Sequence, residues 1–400
     1  MKSDEINVDT DTASSPSGPD ILLKLEVSGG WSGKGQHVAF ALDEAIPLEE
    51  GQFLGRGTFA DVHEVTCKRI PIARKRIYCN RRMKIKEVNR ELDVLKKLSH
   101  KHVVSLLGSY TQINVLGLLL YPVAVCDLGV FLDELDENQS SHSVEFEKLM
   151  DRLGFAGNVN CAKDRLNKVY GCLANAVQYL HENDIRHKDI KPKNILLDKN
   201  DGLYITDFGL SRDTADASSS ITDGNERGTY KYCAPEVARF EPRGRAADVY
   251  SLGCVFLEIN TVHCQLSLAA LEEFRINNND RSYQNSPQKL REWMSKLRQI
   301  STNNLAGGFF NIVDIIDKMV SPVPSDRPDI GTICSSLYLL GSLVYFGKCC
   351  PIQRYQALRN ENAKLSTFYV DKQANRADVI YRTGIRGIAE TTRSRPSGAN

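Results

Sequence analysis

The chain has 400 residues, 42% of them apolar, so a sizeable core can be buried and disorder along the whole length is excluded. Its 51 Lys and Arg face 50 Asp and Glu, a net charge of +1, which leaves no polyanion footprint and argues against nucleic acid as a partner. Eleven cysteines, an odd count with no C-x-x-C pair, support neither a disulfide framework nor a zinc site, and suggest a reducing intracellular setting, cytoplasmic or nuclear.

Residues 1–20 are rich in Ser, Asp, Thr and Pro and cannot bury enough surface to offset ordering entropy, so they read as a disordered acidic arm. No signal-peptide apolar run follows Met1. Residues 21–47 form an extension in which Ile21–Val27 and Val38–Leu42 could be short strands. From Phe53 the pattern is strand-like, through a glycine-rich turn to Asp61–Thr66 and Ile72–Tyr78. Residues 82–98 change to helical spacing, with Ile85, Val88, Leu92, Leu95 and Leu98 on one face. Strands return at 103–109 and 115–123.

Beyond Leu128 the reading is mainly helical, over 128–135, 163–182, 246–259, 266–275, 287–298, 309–319 and 330–345. The segments 136–145 and 276–286 look like loop insertions. Strands followed by helices give an α+β class with two lobes. The predicted division is an N-lobe at 48–125, a C-lobe at 126–347 and a partly mobile tail at 348–400. The most apolar stretches, 115–125 and 333–346, fall short of the roughly 18 residues a spanning helix needs, so no membrane span is expected.

Four constellations carry chemistry. Gly55-Arg56-Gly57 and the residues to Val62 form a glycine turn whose backbone N–H groups could approach phosphate oxygens. In Ile72-Ala73-Arg74-Lys75 the period of two puts Ala73 and Lys75 on one strand face, a small residue beside an ammonium, and Glu91 on the next helix could reach Lys75. His187-Lys188-Asp189-Ile190-Lys191-Pro192-Lys193-Asn194 combines a proton acceptor, a cation and an amide oxygen suited to a hard metal ion. Asp207 in Asp207-Phe208-Gly209 could hold Mg²⁺ at a strand end.

These four elements in this order resemble the eukaryotic protein kinase signature set. Two further matches follow, Gly228–Glu236 with its Ala234-Pro235-Glu236, and Asp248-Val249-Tyr250-Ser251-Leu252-Gly253, and Arg327 resembles the late arginine that pairs with Glu236. The resemblance covers about 50–345 and implies an antiparallel-sheet N-lobe with one main helix and a larger helical C-lobe. It implies Gly55 and Gly57 over the ATP phosphates, and Lys75 on the α- and β-phosphates, paired with Glu91. It further implies Leu54, Val62 and Ala73 around adenine, a hinge at Pro122–Val125 offering Val123 and Ala124, and Tyr121 guarding the back pocket. Asp189 would accept the substrate hydroxyl proton, Lys191 would stabilise the moving phosphoryl group, and Asn194 and Asp207 would hold Mg²⁺. Lys191 and Thr229 resemble the serine/threonine branch. The partners so implied are ATP and protein substrates; the oligomeric state is not written in the sequence.

Departures from the pattern are Ala60 at the third glycine position, Lys188 for the arginine of H-R-D, and Tyr250 for tryptophan. Lysine is a poorer fork for a phosphorylated loop than arginine. Together with Pro122 they motivate an alternative, a catalytically weak, kinase-like ATP-binding scaffold. His187 is expected to be structural, and the cysteines to be small core hydrophobes.

Overall fold

The computed structural model describes residues 30–57, 60–79, 92–137, 143–155, 159–208, 227–242, 244–304 and 312–350. The strands are β1 His37–Ala39, β2 Glu49–Arg56, β3 Ala60–Cys67, β4 Ile70–Tyr78, β5 Ser105–Gln112, β6 Val115–Tyr121, β7 Cys126–Asp127, β8 Ile195–Leu197 and β9 Leu203–Ile205. The first six form one sheet in the order β1-β5-β6-β4-β3-β2, and the last three a small second sheet. All pairings in the large sheet are antiparallel except β1 with β5, which is parallel. That sixth strand comes from the extension and overlaps the Val38–Leu42 run, whereas its parallel pairing with β5 was not legible in the sequence; the Ile21–Val27 run lies outside the described residues.

The extension has a packing role. Trp31, Phe40 and Tyr110 meet in tilted and edge-on contacts with ring centroids 6.0 to 6.2 Å apart. With Val65, Ile72, Leu107 and Leu119 they cover one face of the sheet. Two glycines make room for them: a Cβ at Gly108 would stand 2.4 Å from the Trp31 indole, and one at Gly117 would stand 2.1 Å from the Tyr110 ring. The other face belongs to the main core, which runs on into the helical lobe. A helix at 92–97 lies within the predicted 82–98, with Leu92, Leu95 and Leu98 buried against that core.

The helical lobe is built around Arg245–His263, whose residues from Ala247 to Val262 are all buried. A helix buried on every side lies in the interior, and here the long helix Val159–Glu182 and Ile312–Met319 pack against it. The helix Val144–Arg152 was not anticipated. Ser143 caps it by accepting from the Phe146 N–H at 3.0 Å, and Phe146, Leu149 and Met150 turn inward at helical spacing. The segment 276–286 is also firmer than a loop insertion, because Tyr283 and Ser282 are almost fully buried within it. At the C-terminal side the packed chain continues past 347, with Cys350 buried. No helix among the described residues is long and apolar enough to cross a membrane.

Candidate active site

Strand β4 sets the first part of the site. In its register Ala73 faces Leu120 and Lys75 faces Leu118 on β6, so the four side chains share one face of the sheet, toward the helical lobe. Lys75 reaches across the lobes and donates to the Asp207 carboxylate, just beyond β9. The Lys75 ammonium holds the Asp207 carboxyl below the usual carboxylate range, against the opposing effect of burial. The Asp207 side chain keeps 43% of its surface open, so the carboxylate faces the cleft while remaining paired. Its backbone is left-handed, at φ 63°, a conformation few non-glycine residues adopt.

The second part is the loop 187–194. Lys191 donates to Asp189 Oδ2 at 2.7 Å. The Asn194 amide nitrogen donates to the same oxygen at 2.9 Å and to the Asp189 carbonyl at 2.8 Å. That use of both amide N–H groups leaves the Asn194 amide oxygen as its remaining polar atom. His187 is fully buried and donates through Nε2 to the Thr206 carbonyl at 2.8 Å, while Nδ1 accepts from the Asp189 N–H at 3.3 Å. Burial lowers the His187 pKa and keeps the ring neutral, so it is a strut, as its sequence context suggested. The Thr206 N–H also donates to the Asn194 carbonyl at 3.0 Å. These bonds lock the loop to the strand that delivers Asp207.

Asp248 anchors the loop from below. Its Oδ1 accepts from the Lys188 N–H and its Oδ2 from the His187 N–H and His181 Nε2, each at 2.9 Å. Burial alone would raise this carboxyl, but the His181 hydrogen bond and the neighbouring charges outweigh it and the pKa is lowered. Asp248 lay in a motif the sequence singled out, yet its role was missed because its partners lie some 60 residues away. The same helix carries Tyr250, over which the Arg327 guanidinium stands at 4.9 Å. Arg327 in turn makes a buried two-pronged contact to Glu236 at 2.7 and 2.8 Å, the pairing foreseen from the sequence. Tyrosine therefore serves as the aromatic platform where tryptophan was expected.

Leu54, Val62 and Val123 are partly buried against the main core to which Ala73 belongs. Leu196 joins them: Ile195 and Leu197 are fully buried and strand alternation turns Leu196 the other way, a residue the sequence reading did not assign. Val123 and Ala124 make no backbone hydrogen bond among the described residues, whereas the Val125 N–H is committed to the Leu197 carbonyl at 2.7 Å. A Cβ at Gly55 would meet open space, and one at Gly57 only the Ala60 carbonyl at 3.8 Å. Neither position has positive φ. The fold itself does not demand glycine there, and the turn offers bare backbone to the cleft.

One expectation is corrected. Tyr121 does not guard the back of the cleft; it packs on the opposite face of the sheet, against the Trp31 cluster. The side chain beside Ala73 is Leu120, buried at 8% exposure. A β-bulge in β5 between Leu106 and Gly108 and the β4–β6 register decide this, and neither is visible in a single strand's pattern. Glu91, Gly209 and the Thr229 side chain lie outside the described residues, as does the loop between 209 and 226.

A two-lobed α+β fold with a β-strand lysine meeting an aspartate after a short strand, over a braced Asp-x-Lys-x-x-Asn loop, is the architecture of protein kinases. Residues 48–339 match the protein kinase domain family model, and the chain belongs to that family. Over 211 residues it is 30% identical to the serine/threonine-protein kinase fused of Drosophila melanogaster, an alignment covering 51% of this chain and 23% of that protein. Over 218 residues it is 33% identical to the LRR receptor-like serine/threonine-protein kinase ER1 of Oryza sativa subsp. japonica, covering 54% and 20%. The aligned part thus spans about a fifth to a quarter of the length of these relatives. A solved structure described as Rad53 1-466 in complex with AMP-PNP aligns over 72% of this chain and 64% of that chain, at 23% identity and a TM-score of 0.49.

Proposed function

We propose that the chain is a protein serine/threonine kinase that transfers the γ-phosphoryl group of Mg-ATP to Ser or Thr hydroxyls of protein substrates. The observation that carries this is the convergence of Lys75 with Asp207 beside an Asp189 clasped by Lys191 and Asn194. The donor set suits a hard divalent cation: Asp207 is held ionised, and Asn194 presents its amide oxygen. Asn194 and Asp207 would hold Mg²⁺, which supplies neutralisation of phosphate charge when bound. Leu54, Val62, Ala73 and Leu196 offer an apolar slot for adenine, and the uncommitted backbone of Val123 and Ala124 offers its hydrogen-bonding edge. Gly55 and Gly57 would lie over the phosphates, and Lys75 on their oxygens.

In this reading Asp189 orients the attacking hydroxyl and accepts its proton. Lys191 and Asn194 fix the carboxylate, so little reorganisation is left for the reacting complex. Lys191, adjacent to Asp189, also stabilises charge on the transferred group. Lys191 and Thr229, together with relatives that are serine/threonine kinases, support hydroxyl substrates of that class. Cysteines that form no disulfide among the described residues support an intracellular setting.

The test is transfer of labelled phosphate to a generic basic protein or to the chain itself, with phosphosites mapped by mass spectrometry. Asp189→Ala is expected to lower turnover on the order of 10²-fold or more while nucleotide binding persists. Undiminished transfer in that variant would overturn the assignment. The departures at Ala60 and Lys188 favour the second reading, a weak ATP-binding scaffold. It predicts a nucleotide-induced thermal shift in the wild type without measurable transfer.

A further inference from the structure

The fold gathers four soft ligands that the sequence scatters. His102 lies in the segment entering β5, Cys172 in the long helix Val159–Glu182, and Cys349 and Cys350 just after the helix Ile330–Tyr345. Their ligand atoms all lie within 4.8 Å of one another. The sulfurs of Cys172 and Cys349 are 3.6 Å apart and those of Cys172 and Cys350 are 3.9 Å apart. His102 Nε2 stands 3.1 Å from the Cys350 sulfur and 3.4 Å from that of Cys349. A tetrahedral zinc ion with Zn–S of about 2.3 Å and Zn–N of about 2.0 Å has S···S edges near about 3.8 Å and S···N edges near about 3.5 Å. Four of the six separations stand within about 0.4 Å of those edges, and the other two lie within 4.8 Å.

The surroundings are built for the purpose. The Leu203 carbonyl accepts from His102 Nδ1 at 2.9 Å, which places the proton there and turns the Nε2 lone pair toward the sulfurs. The Gly347 N–H donates to the Cys172 sulfur at 3.4 Å. Lys101 donates to the Cys349 carbonyl and puts a positive charge beside a site whose three thiolates would outweigh a divalent cation by one. His102, Cys172 and Cys350 are nearly fully buried, while Cys349 is exposed and leaves a way in for the ion. The sequence argued against a zinc site on the want of a C-x-x-C pair; here the ligands come from three remote segments.

We propose that His102, Cys172, Cys349 and Cys350 bind one Zn²⁺ in a closed, structural tetrahedral site. Three thiolates and one imidazole select zinc over hard cations, and four protein ligands leave no open position for catalysis. The ion pins the end of the kinase domain to the segment that enters β5. The His102 carbonyl accepts from the Ile205 N–H at 2.9 Å, so the pin also braces the strand that delivers Asp207.

The experiment uses the full chain purified under reducing conditions. Elemental analysis is expected to find about one zinc per chain. Cobalt(II) replacing the zinc is expected to give the intense absorption of tetrahedral thiolate coordination. Cys349→Ser, at the exposed rim, should weaken metal affinity on the order of 10²-fold or more, and Cys161→Ser, at an exposed cysteine elsewhere, should leave it unchanged. Zinc should also shield Cys349 from alkylation in the wild type, a readout that needs no variant to fold. Wild-type protein without zinc or the cobalt spectrum, equal metal content in Cys349→Ser, or a disulfide between Cys172 and either neighbour in the reduced preparation would each overturn the site. None of these readouts depends on phosphate transfer.

Discussion

Replacing Asp248 by asparagine keeps the volume and removes the charge that three donors share. In the wild type one oxygen accepts from Lys188 and the other from His187 and His181, all at 2.9 Å. Asparagine can keep its oxygen toward the pair, but its amide nitrogen then opposes the Lys188 N–H. Two bonds to a charged acceptor become neutral ones, a loss of about 1 kcal/mol each, and one half-buried N–H loses its acceptor at about 2 kcal/mol. The sum is about 4 kcal/mol, and for a domain of this size the melting temperature should fall by roughly 8 °C. The weakened loop also carries Asp189, so turnover should fall on the order of 10²-fold while nucleotide affinity changes little. Calorimetry and steady-state kinetics on wild type and variant are the assay. The pH dependence adds a check. Because the folded pKa of Asp248 is depressed, its stabilisation is present above the ordinary carboxylate pKa and is lost as pH falls through the lower folded value. The asparagine variant should therefore show a flatter acid limb of stability. A variant with wild-type melting temperature and turnover would refute the claim that Asp248 holds the loop.

Two further outcomes test the packing. Leu120→Ala should open space beside Ala73 and improve binding of adenine analogues with bulky substituents, while lowering stability by about 2–5 kcal/mol; Tyr121→Ala should not improve it, and competition binding with one such analogue separates them. Arg327→Met leaves the buried Glu236 carboxylate without its fork and should cost about 3–5 kcal/mol, read as a shift of the denaturation midpoint, whereas Tyr250→Trp should be nearly neutral there.

The order of the motifs, and with it the family, could be read from the sequence because each motif is a short run whose spacing is fixed by local backbone geometry. Ala73 and Lys75 share a face by strand period, and Asp189, Lys191 and Asn194 meet within one turn of chain. The pairing of Glu236 with Arg327 could be expected from the same resemblance. Other features depended on how separate segments register, which no local pattern encodes. Whether Leu120 or Tyr121 faces the cleft turns on the β4–β6 register and a bulge on the neighbouring strand, since a shift of one residue exchanges the faces. The duty of Asp248, the parallel strand His37–Ala39 over β5 and the meeting of His102 with Cys172, Cys349 and Cys350 all join residues tens to hundreds of positions apart. Hydrophobic burial brings such segments together without regard to their separation along the chain, so their chemistry exists only once the core has formed.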